Sequence, residues 1–286
     1  MAQASSAWCW VFCLHCTFEF CYAPKSFMKI ATWNVNSLSV RLPQVLDWLA
    51  TNPTDVLALQ ELKLTDDKFP VAAFAEAGYQ AHWFGQKTYN GVALIAKTEG
   101  MEVVKNIPGF ADDMSRVIAA SYPDGAGGQV RVIGAYFPNG QAPDSDKFVY
   151  KMRWLDALHD WVGSELQKHP NLVLLGDYNI TFDERDMWDP VALAGTIHCT
   201  DAEREKLQAL VGLGLTDSFR LFEQAEKSYS WWDYREFAFR RNRGLRIDHI
   251  LISEALKARA SACVIDRAPR KNERPSDHAP VVLTLT

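Results

Sequence analysis

Apolar residues along this chain gather in short runs that each stop on a polar residue. The clearest is Leu172–Ile180, LVLLGDYNI, where Leu172–Leu175 and a glycine lead into Asp177 and Asn179. An unbroken aliphatic run of that length predicts a strand buried on both faces. Asp177 and Asn179 lie two apart, so an extended backbone points both to one side. The form recurs. Ile30–Trp33 runs into Asn34 and Asn36, and Asp55–Leu59 into Gln60 and Glu61. Val132–Ala135 runs into Tyr136 and Asn139, and Leu245–Ile247 into Asp248 and His249. Ser276-Asp277-His278-Ala279-Pro280 precedes a closing apolar run.

Periodicity fills in the remaining elements. Strands are predicted at Lys29–Asn34, Asp55–Glu61, Ala81–Phe84, Gly91–Lys97, Met101–Asn106, Arg116–Pro123, Gln129–Phe137, Lys227–Tyr234, Leu245–Ser253, Ala262–Arg267 and Ala279–Thr286. Asp124-Gly125 supplies a hairpin turn. Helices are predicted near Leu42–Ala50, at Phe69–Ala77, from Asp144 or Ser145 to about Gln167, and at Asp201–Leu210 with Asp201 as its cap. Helices alternating with many strands, several in hairpins, suit two sheets packed together with helices outside both. A core does not need polar groups at strand end after strand end; a site assembled from several strands does. One instance would simply cap a turn. Carboxylates, amides and an imidazole recurring together are the groups of metal-assisted phosphoester hydrolysis.

Charge narrows the partner. The 286 residues are 48% hydrophobic with a formal net charge of -5. That excludes a broadly basic surface, so any attraction to nucleic acid is local. The densest positive stretch places Arg235, Arg240, Arg241, Arg243 and Arg246 among Trp231, Trp232, Tyr234, Phe237 and Phe239. Arginine beside aromatic rings suits phosphates with bases or sugars; a solvated loop is the plain alternative. No linker, repeat or low-complexity tract divides the chain. Cys9, Cys13, Cys16 and Cys21 crowd the start, with zinc-like spacing but no following fold; Cys199 and Cys263 stand alone. Residues 1–27 lack the basic start and cleavage site of a secretory signal. Their apolar stretch, interrupted by His15 and Glu19, is too short to span a bilayer. They are expected to be a non-native leader with no assigned fold, a metal-binding extension being the alternative. Residues 28–286 are expected to form a single domain with unpaired cysteines, as in a reducing cytoplasm.

Several blocks now stand in order: Thr32-Trp33-Asn34-Val35-Asn36, Leu59-Gln60-Glu61, Gly91-Val92-Ala93, Tyr136-Phe137-Pro138-Asn139-Gly140, Gly176-Asp177-Tyr178-Asn179, Ser230-Trp231-Trp232-Asp233-Tyr234-Arg235, Asn242–Asp248 and Ser276–Pro280. Together they resemble the exonuclease III family of DNA-repair nucleases and abasic-site endonucleases, bacterial type, within the endonuclease/exonuclease/phosphatase superfamily. The resemblance covers residues 28–286. It implies an α/β fold, a four-layer α/β/β/α sandwich of two packed mixed sheets with outer helices, with the site at one edge of the paired sheets. The Asn242–Asp248 block points to the DNA-repair branch rather than the lipid or inositol-phosphate branches.

The resemblance also implies roles. Glu61 is the first metal ligand, Asn34 assists directly or through water, and Asp277 completes the set. Mg²⁺ takes octahedral oxygen ligands and retains waters, so one or two carboxylates suffice; Mn²⁺ is expected to substitute. Asp177 orients or deprotonates the attacking water, and Asn179 donates to a phosphate oxygen. Asp248 pairs with His278, fixing its tautomer and raising its basicity. His278 then either binds phosphate as imidazolium or activates water, which leaves the base open between Asp177 and His278. Tyr136 donates its hydroxyl to the developing charge. Trp231 lies under the sugar or damaged nucleotide, and Arg116, Arg240, Arg241 and Arg243 hold phosphates. Water attacks phosphorus in line and the 3′ oxygen leaves, whether the target is a terminal nucleotide, a 3′ phosphate or the linkage 5′ of an abasic site.

One position departs from the pattern. Family members that incise abasic sites commonly carry a small residue, then an aromatic, before a helix start; here the stretch is Ile197–Arg204, with His198 at the small position. If that loop borders DNA, His198 obstructs the kinked duplex of internal incision. It predicts 3′→5′ exonuclease and 3′-end cleaning ahead of abasic-site incision, unless His198 is merely solvated. The alternatives are a full abasic-site endonuclease with little exonuclease activity and, remotely, a silent DNA-binding module. The complete set of Glu61, Tyr136, Asp177, Asn179, Asp248 and His278 argues against silence. The expected partner is double-stranded DNA with 3′ ends, nicks, gaps or abasic sites, met by a monomer in the cytoplasm with chromosomal DNA and with no membrane involved.

Overall fold

A computed structural model describes residues 27–286. The expected leader and its cysteines, but for Phe27, lie outside the described residues. The strands are β1 (Met28–Asn34), β2 (Val56–Gln60), β3 (Gln80–Phe84), β4 (Val92–Ala96), β5 (Met101–Lys105), β6 (Val117–Pro123), β7 (Gln129–Tyr136), β8 (Leu172–Asp177), β9 (Leu215–Asp217), β10 (Asp248–Ser253), β11 (Ala260–Ile265) and β12 (Val281–Leu285). The α-helices are α1 (Leu38–Thr51), α2 (Val71–Glu76), α3 (Asp146–Lys168), α4 (Pro190–Leu193), α5 (Asp201–Gly212) and α6 (Glu254–Lys257). They build two six-stranded sheets, ordered β11-β12-β1-β2-β4-β3 and β5-β6-β7-β8-β10-β9. Each mixes parallel and antiparallel pairs: β1 with β2 and β7 with β8 are parallel, the rest antiparallel.

Alternation along each strand creates the layers. In β1, Ile30 packs between the sheets, whereas Ala31 and Trp33 meet α1 and α2 on the outside. In β8, Val173 and Leu175 face the other sheet, whereas Leu172 and Leu174 meet Trp154, Leu158 and Leu207 from α3 and α5. The result is the four-layer α/β/β/α sandwich. Strands buried on both faces need unbroken apolar runs, which is why they were legible.

Register brings the polar strand ends together. Parallel pairing sets Tyr136 beside Asp177, and antiparallel pairing sets Asp248 on its other side. In the facing sheet Asn34 lies beside Gln60, and β12 runs back along β1 so that the residues before it return to the same edge.

Several elements differ from expectation. Lys227–Tyr234 is not a strand. Trp231 makes isolated bridges to Leu245 and His278, and a 3₁₀ turn follows at Arg235–Phe237. Its backbone ties two loops together instead of extending a sheet: Trp231 N–H donates to Leu245 O and Trp232 N–H to Asp277 O. The cap of α5 is Thr200, not Asp201; its hydroxyl accepts from Glu203 N–H while the Glu203 carboxylate accepts from Thr200 N–H. Helix α1 begins at Leu38 and carries Pro43 inside it. Leu245–Ile247 precede β10 instead of opening it. No helix among the described residues is long and apolar enough to cross a membrane. Cys199 and Cys263 are free and buried.

Candidate active site

Asn34 is the hinge of the polar edge. Its Nδ2 donates to Glu61 Oε1 at 2.9 Å and to Asp177 Oδ2 at 2.8 Å, so one amide spans the two sheets. Its Oδ1 accepts the backbone N–H of Asn36 at 3.0 Å. His278 closes the cluster: Nδ1 meets Asp248 Oδ2 at 2.8 Å, and Nε2 lies 3.7 Å from Asp177 Oδ2. Ligand atoms of Glu61, Asp177 and His278 all lie within 4.8 Å of one another. The Glu61 carboxylate offers oxygens that a divalent cation can use, with Asp177 and His278 close enough to act on the same phosphate.

The metal-side expectations are placed as follows. Glu61 is in the cluster. Asn34 acts on it as a hydrogen-bond bridge, with its oxygen engaged by backbone. Asp277 stands one layer away: its Oδ1 accepts Asn36 Nδ2 at 2.9 Å and its Oδ2 accepts Trp231 Nε1 at 3.0 Å. Its charge is supported by these donors and by His278, which outweigh burial and hold its carboxyl below the ordinary range.

Electrostatics divide the labour. Burial pushes the Asp177 carboxyl up; His278 opposes that, Asp248 adds to it, and the group ends above the usual carboxylate range. Burial alone would pull His278 down, but Asp248 and Asp177 outweigh it and hold it at about 10. An imidazole with a carboxylate at each nitrogen is kept as imidazolium. Burial, then the charges of Glu61 and Asp177, raise Tyr136 well above its ordinary value, so its hydroxyl stays a neutral donor.

The phosphate-side residues sit together. Asn179 Nδ2 donates to Phe137 O at 3.1 Å and approaches Asp177 Oδ2 at 3.3 Å. Asn139 Nδ2 donates to Asn179 Oδ1 at 3.3 Å. Two cavities flank the cluster. One of about 420 Å³ is lined by Arg116, Tyr136, Asn139, Lys87 and Lys147; Arg116 lies over the Tyr136 ring at 5.1 Å. The other, about 320 Å³, is lined by Trp231, Leu245, Leu193 and Trp188, and Trp231 sits 6.5 Å from the His278 ring. Arg243 stacks over Trp188 at 4.8 Å, while Arg240 and Arg241 are exposed farther out.

His198 is not solvated: it is only 8% exposed, behind the two amides. Nδ1 meets Asn179 O at 2.7 Å and Nε2 faces Asn139 Nδ2 at 3.4 Å. Burial, then the charge of Lys151, pulls its pKa down to about 4, so the ring is neutral. Its φ of 72° explains why a small residue suits this position. Sequence reasoning also missed Lys63 and Lys151, and gave Asn36 no role beyond its place at a strand end. Lys63 Nζ pairs with Glu61 Oε2 at 2.8 Å, and its only signal was lying two residues after Glu61. Lys151 gave no signal, being one lysine in an amphipathic helix.

Comparison with known proteins gives the following. Residues 31–278 match the model described as the endonuclease/exonuclease/phosphatase family. Exodeoxyribonuclease III of Haemophilus influenzae is 34% identical over 271 residues, covering 89% of this chain and 98% of that protein. A structure of a variant of the 3′ phosphatase NExo from Neisseria, bound to a product DNA hairpin, superposes with a TM-score of 0.87 at 49% identity, covering 91% of this chain and 99% of that one. An AP endonuclease from Archaeoglobus fulgidus gives 0.85 at 35%, covering 90% and 99%.

Proposed function

This chain belongs to the endonuclease/exonuclease/phosphatase family, and we propose from that premise that its cluster hydrolyses the P–O3′ bond of DNA with a single divalent cation. It is a DNA-repair phosphodiesterase that processes 3′ ends, as its relatives of 34% and 49% identity are. The observation that carries the residue assignment is the Asn34 bridge: it holds Glu61 from one sheet against Asp177 from the other, with His278 within reach of both.

Glu61 would hold Mg²⁺, with Mn²⁺ as substitute and Asp277 reaching the site through Asn36. When bound, the cation supplies positive charge and Lewis acidity toward a phosphate oxygen. The remaining work falls to side chains. His278, kept as imidazolium between Asp248 and Asp177, has no capacity to take a second proton. It therefore holds phosphate, and Asp177, whose proton affinity is raised, orients the water and accepts its proton. Asn179 and Asn139 donate to non-bridging oxygens, and the Tyr136 hydroxyl donates to the charge that develops. Trp231 and Leu245 offer a flat apolar wall to the terminal sugar or base.

The same reading favours 3′→5′ exonuclease and 3′-phosphatase work over abasic-site incision. His198 takes the position where abasic-site incisers are expected to carry a small residue, and the neighbours of 49% and 50% identity are named as a 3′ phosphatase and a 3′-5′ exonuclease. Partners are duplexes with 3′ ends, nicks or gaps, met by a monomer. The test is a panel of three duplexes, carrying an abasic site, a 3′ phosphate at a nick, and a recessed 3′ end, with and without chelator. Cleavage of the last two that is lost with chelator, and lost in Asp177→Asn, is expected. Activity indifferent to chelator and to Asp177→Asn would refute the assignment.

A further inference from the structure

The loop that delivers Asp277 and His278 to the site carries its own charge. Between β11 and β12, residues 267–274 hold Arg267, Arg270, Lys271 and Arg274 against one acid, Glu273. Arg267, Lys271 and Arg274 are exposed. Among the described residues none of the three has a carboxylate within ion-pair distance, unlike Arg235 and Arg243 nearby, which meet Asp233 at 2.6 Å and Glu236 at 3.8 Å. Elsewhere the surface is not short of acids, since the chain's net charge is -5. Unpaired cations concentrated beside the site are therefore a local feature.

The loop is also held in place. Tyr234 Oη donates to Pro275 O at 2.8 Å, Arg41 Nη2 to Pro275 O at 3.0 Å and Gln44 Nε2 to Glu273 O at 2.9 Å. Arg267 stacks over Trp232 at 5.1 Å, and Arg270 over Phe239 at 4.9 Å. The 267–275 loop and the arginine-rich 231–243 loop thus make one continuous surface. Beneath it Arg270 is 6% exposed, and its Nε has no partner among the described residues. Its Nη1 donates to Ser276 O and its charge faces Asp277, so it steadies the exposed cations above it from within the loop.

We infer that residues 267–274 form, with Arg240 and Arg241, a phosphate-binding ridge that grips the duplex backbone on the Asp277 side of the cleft, opposite the Arg116 cavity. This deepens the reading of the site as a DNA phosphodiesterase and rests on it. The ridge supplies what the net charge withholds: local attraction that fixes the duplex without reading its sequence.

The experiment uses the full chain and a 20-base-pair duplex with a recessed 3′ end. The combined variant Arg267→Ala, Lys271→Ala, Arg274→Ala touches no residue of the catalytic cluster. Each phosphate contact contributes ~0.9 to the slope of log affinity against log salt. The slope of log kcat/KM should therefore become shallower by about 2 or more, with kcat at saturating DNA unchanged. A control removing three cations at the opposite sheet end (Lys29, Lys168 and Lys257, each to Ala) should leave the slope as in wild type. Charge reversal at Lys271 and Arg274 should raise KM further, again at constant kcat. A slope unchanged in the ridge variant, or changed equally in the control, overturns the ridge. Wild-type protein that cuts no duplex in the first place would instead overturn the reading beneath it.

Discussion

Removing the Lys151 ammonium should weaken both the fold and the catalytic turns. Lys151 is on α3 with no exposure, and its Nζ reaches Glu203 Oε1 at 2.5 Å, Asn179 O at 2.8 Å and Asn139 O at 3.3 Å. It thus anchors the two backbone turns that carry the phosphate-side amides. Burial pulls Lys151 below its ordinary value, and Glu203 is what opposes that. Breaking a buried pair by deleting one partner costs ~3–5 kcal/mol, because the other charge is stranded. Here Glu203 keeps Thr200 N–H at 3.1 Å, Thr200 Oγ1 at 2.8 Å and His198 N–H at 3.1 Å. Three surviving donors place Lys151→Met at the lower end, about 3 kcal/mol. For a domain of this size that is a fall in Tm of roughly 6–12 °C. Glu203→Gln alone should cost a similar amount, and the double variant should recover about 2 kcal/mol of the summed loss. Urea unfolding of the four proteins measures the cycle. Turnover on a recessed 3′ end should fall at least about tenfold in Lys151→Met, since small displacements of positioning groups are expensive. A single variant that loses under ~1 kcal/mol and keeps wild-type turnover would refute this.

Three further outcomes are expected. His249 is buried, and burial, then Arg246, lower its pKa from 6.5 to about 4; its contribution is therefore complete above pH 6.5 and lost as pH falls toward 4, by up to ~3 kcal/mol. The stability difference between wild type and His249→Phe should drop accordingly across that window in urea titrations, and a flat difference would contradict it. His198→Gly should stay folded, because φ of 72° suits glycine, and should gain incision of an abasic duplex; no gain removes the substrate argument. Gly176→Ala should give little soluble protein or lose more than ~4 kcal/mol, because its Cβ would lie 1.8 Å from Ala135 O; a wild-type urea midpoint would contradict the packing of β8 on β7.

Much of the fold was readable because strands buried on both faces leave an unmistakable apolar run, as in Leu172–Leu175. The 227–234 segment failed for the opposite reason. Its aromatic residues look strand-like, but Trp232 is buried as a plug against Phe239, with ring planes at 87°, and pattern alone does not separate plug from strand. The site was legible where a polar residue ends an apolar run: Asn34, Glu61, Asp177 and Asp248. It was illegible where the contact is purely tertiary. Nothing in the helix sequence of α3 says that Lys151 reaches Asn139 and Asn179, and nothing near His198 says that the chain folds its ring inward.

A common backbone feature links the legible and illegible residues. Asn36, Ser37, Glu61, Lys63, Asn179 and His198 all have positive φ, between 45° and 92°. Such a residue cannot continue a strand, so the turn that ends the apolar run also swings the next side chain into the cleft. Asparagine tolerates that conformation, and Asn36 and Asn179 could be guessed from it. Glutamate, lysine and histidine are poor choices for it, each at a cost of order 1–3 kcal/mol. A stability optimum would place glycine or asparagine at those three positions. Glu61, Lys63 and His198 stand there instead, but so do Glu102 and Lys227 away from the cleft, so it is the groups they carry, not the strain, that set them apart. Glu61 brings the carboxylate that Asn34 ties to Asp177, Lys63 the ammonium that pairs with it, and His198 the neutral ring that backs both phosphate-side amides. Positive φ at these strand ends thus serves to aim those groups into the cleft, and the double-sheet core behind them holds the turns in place.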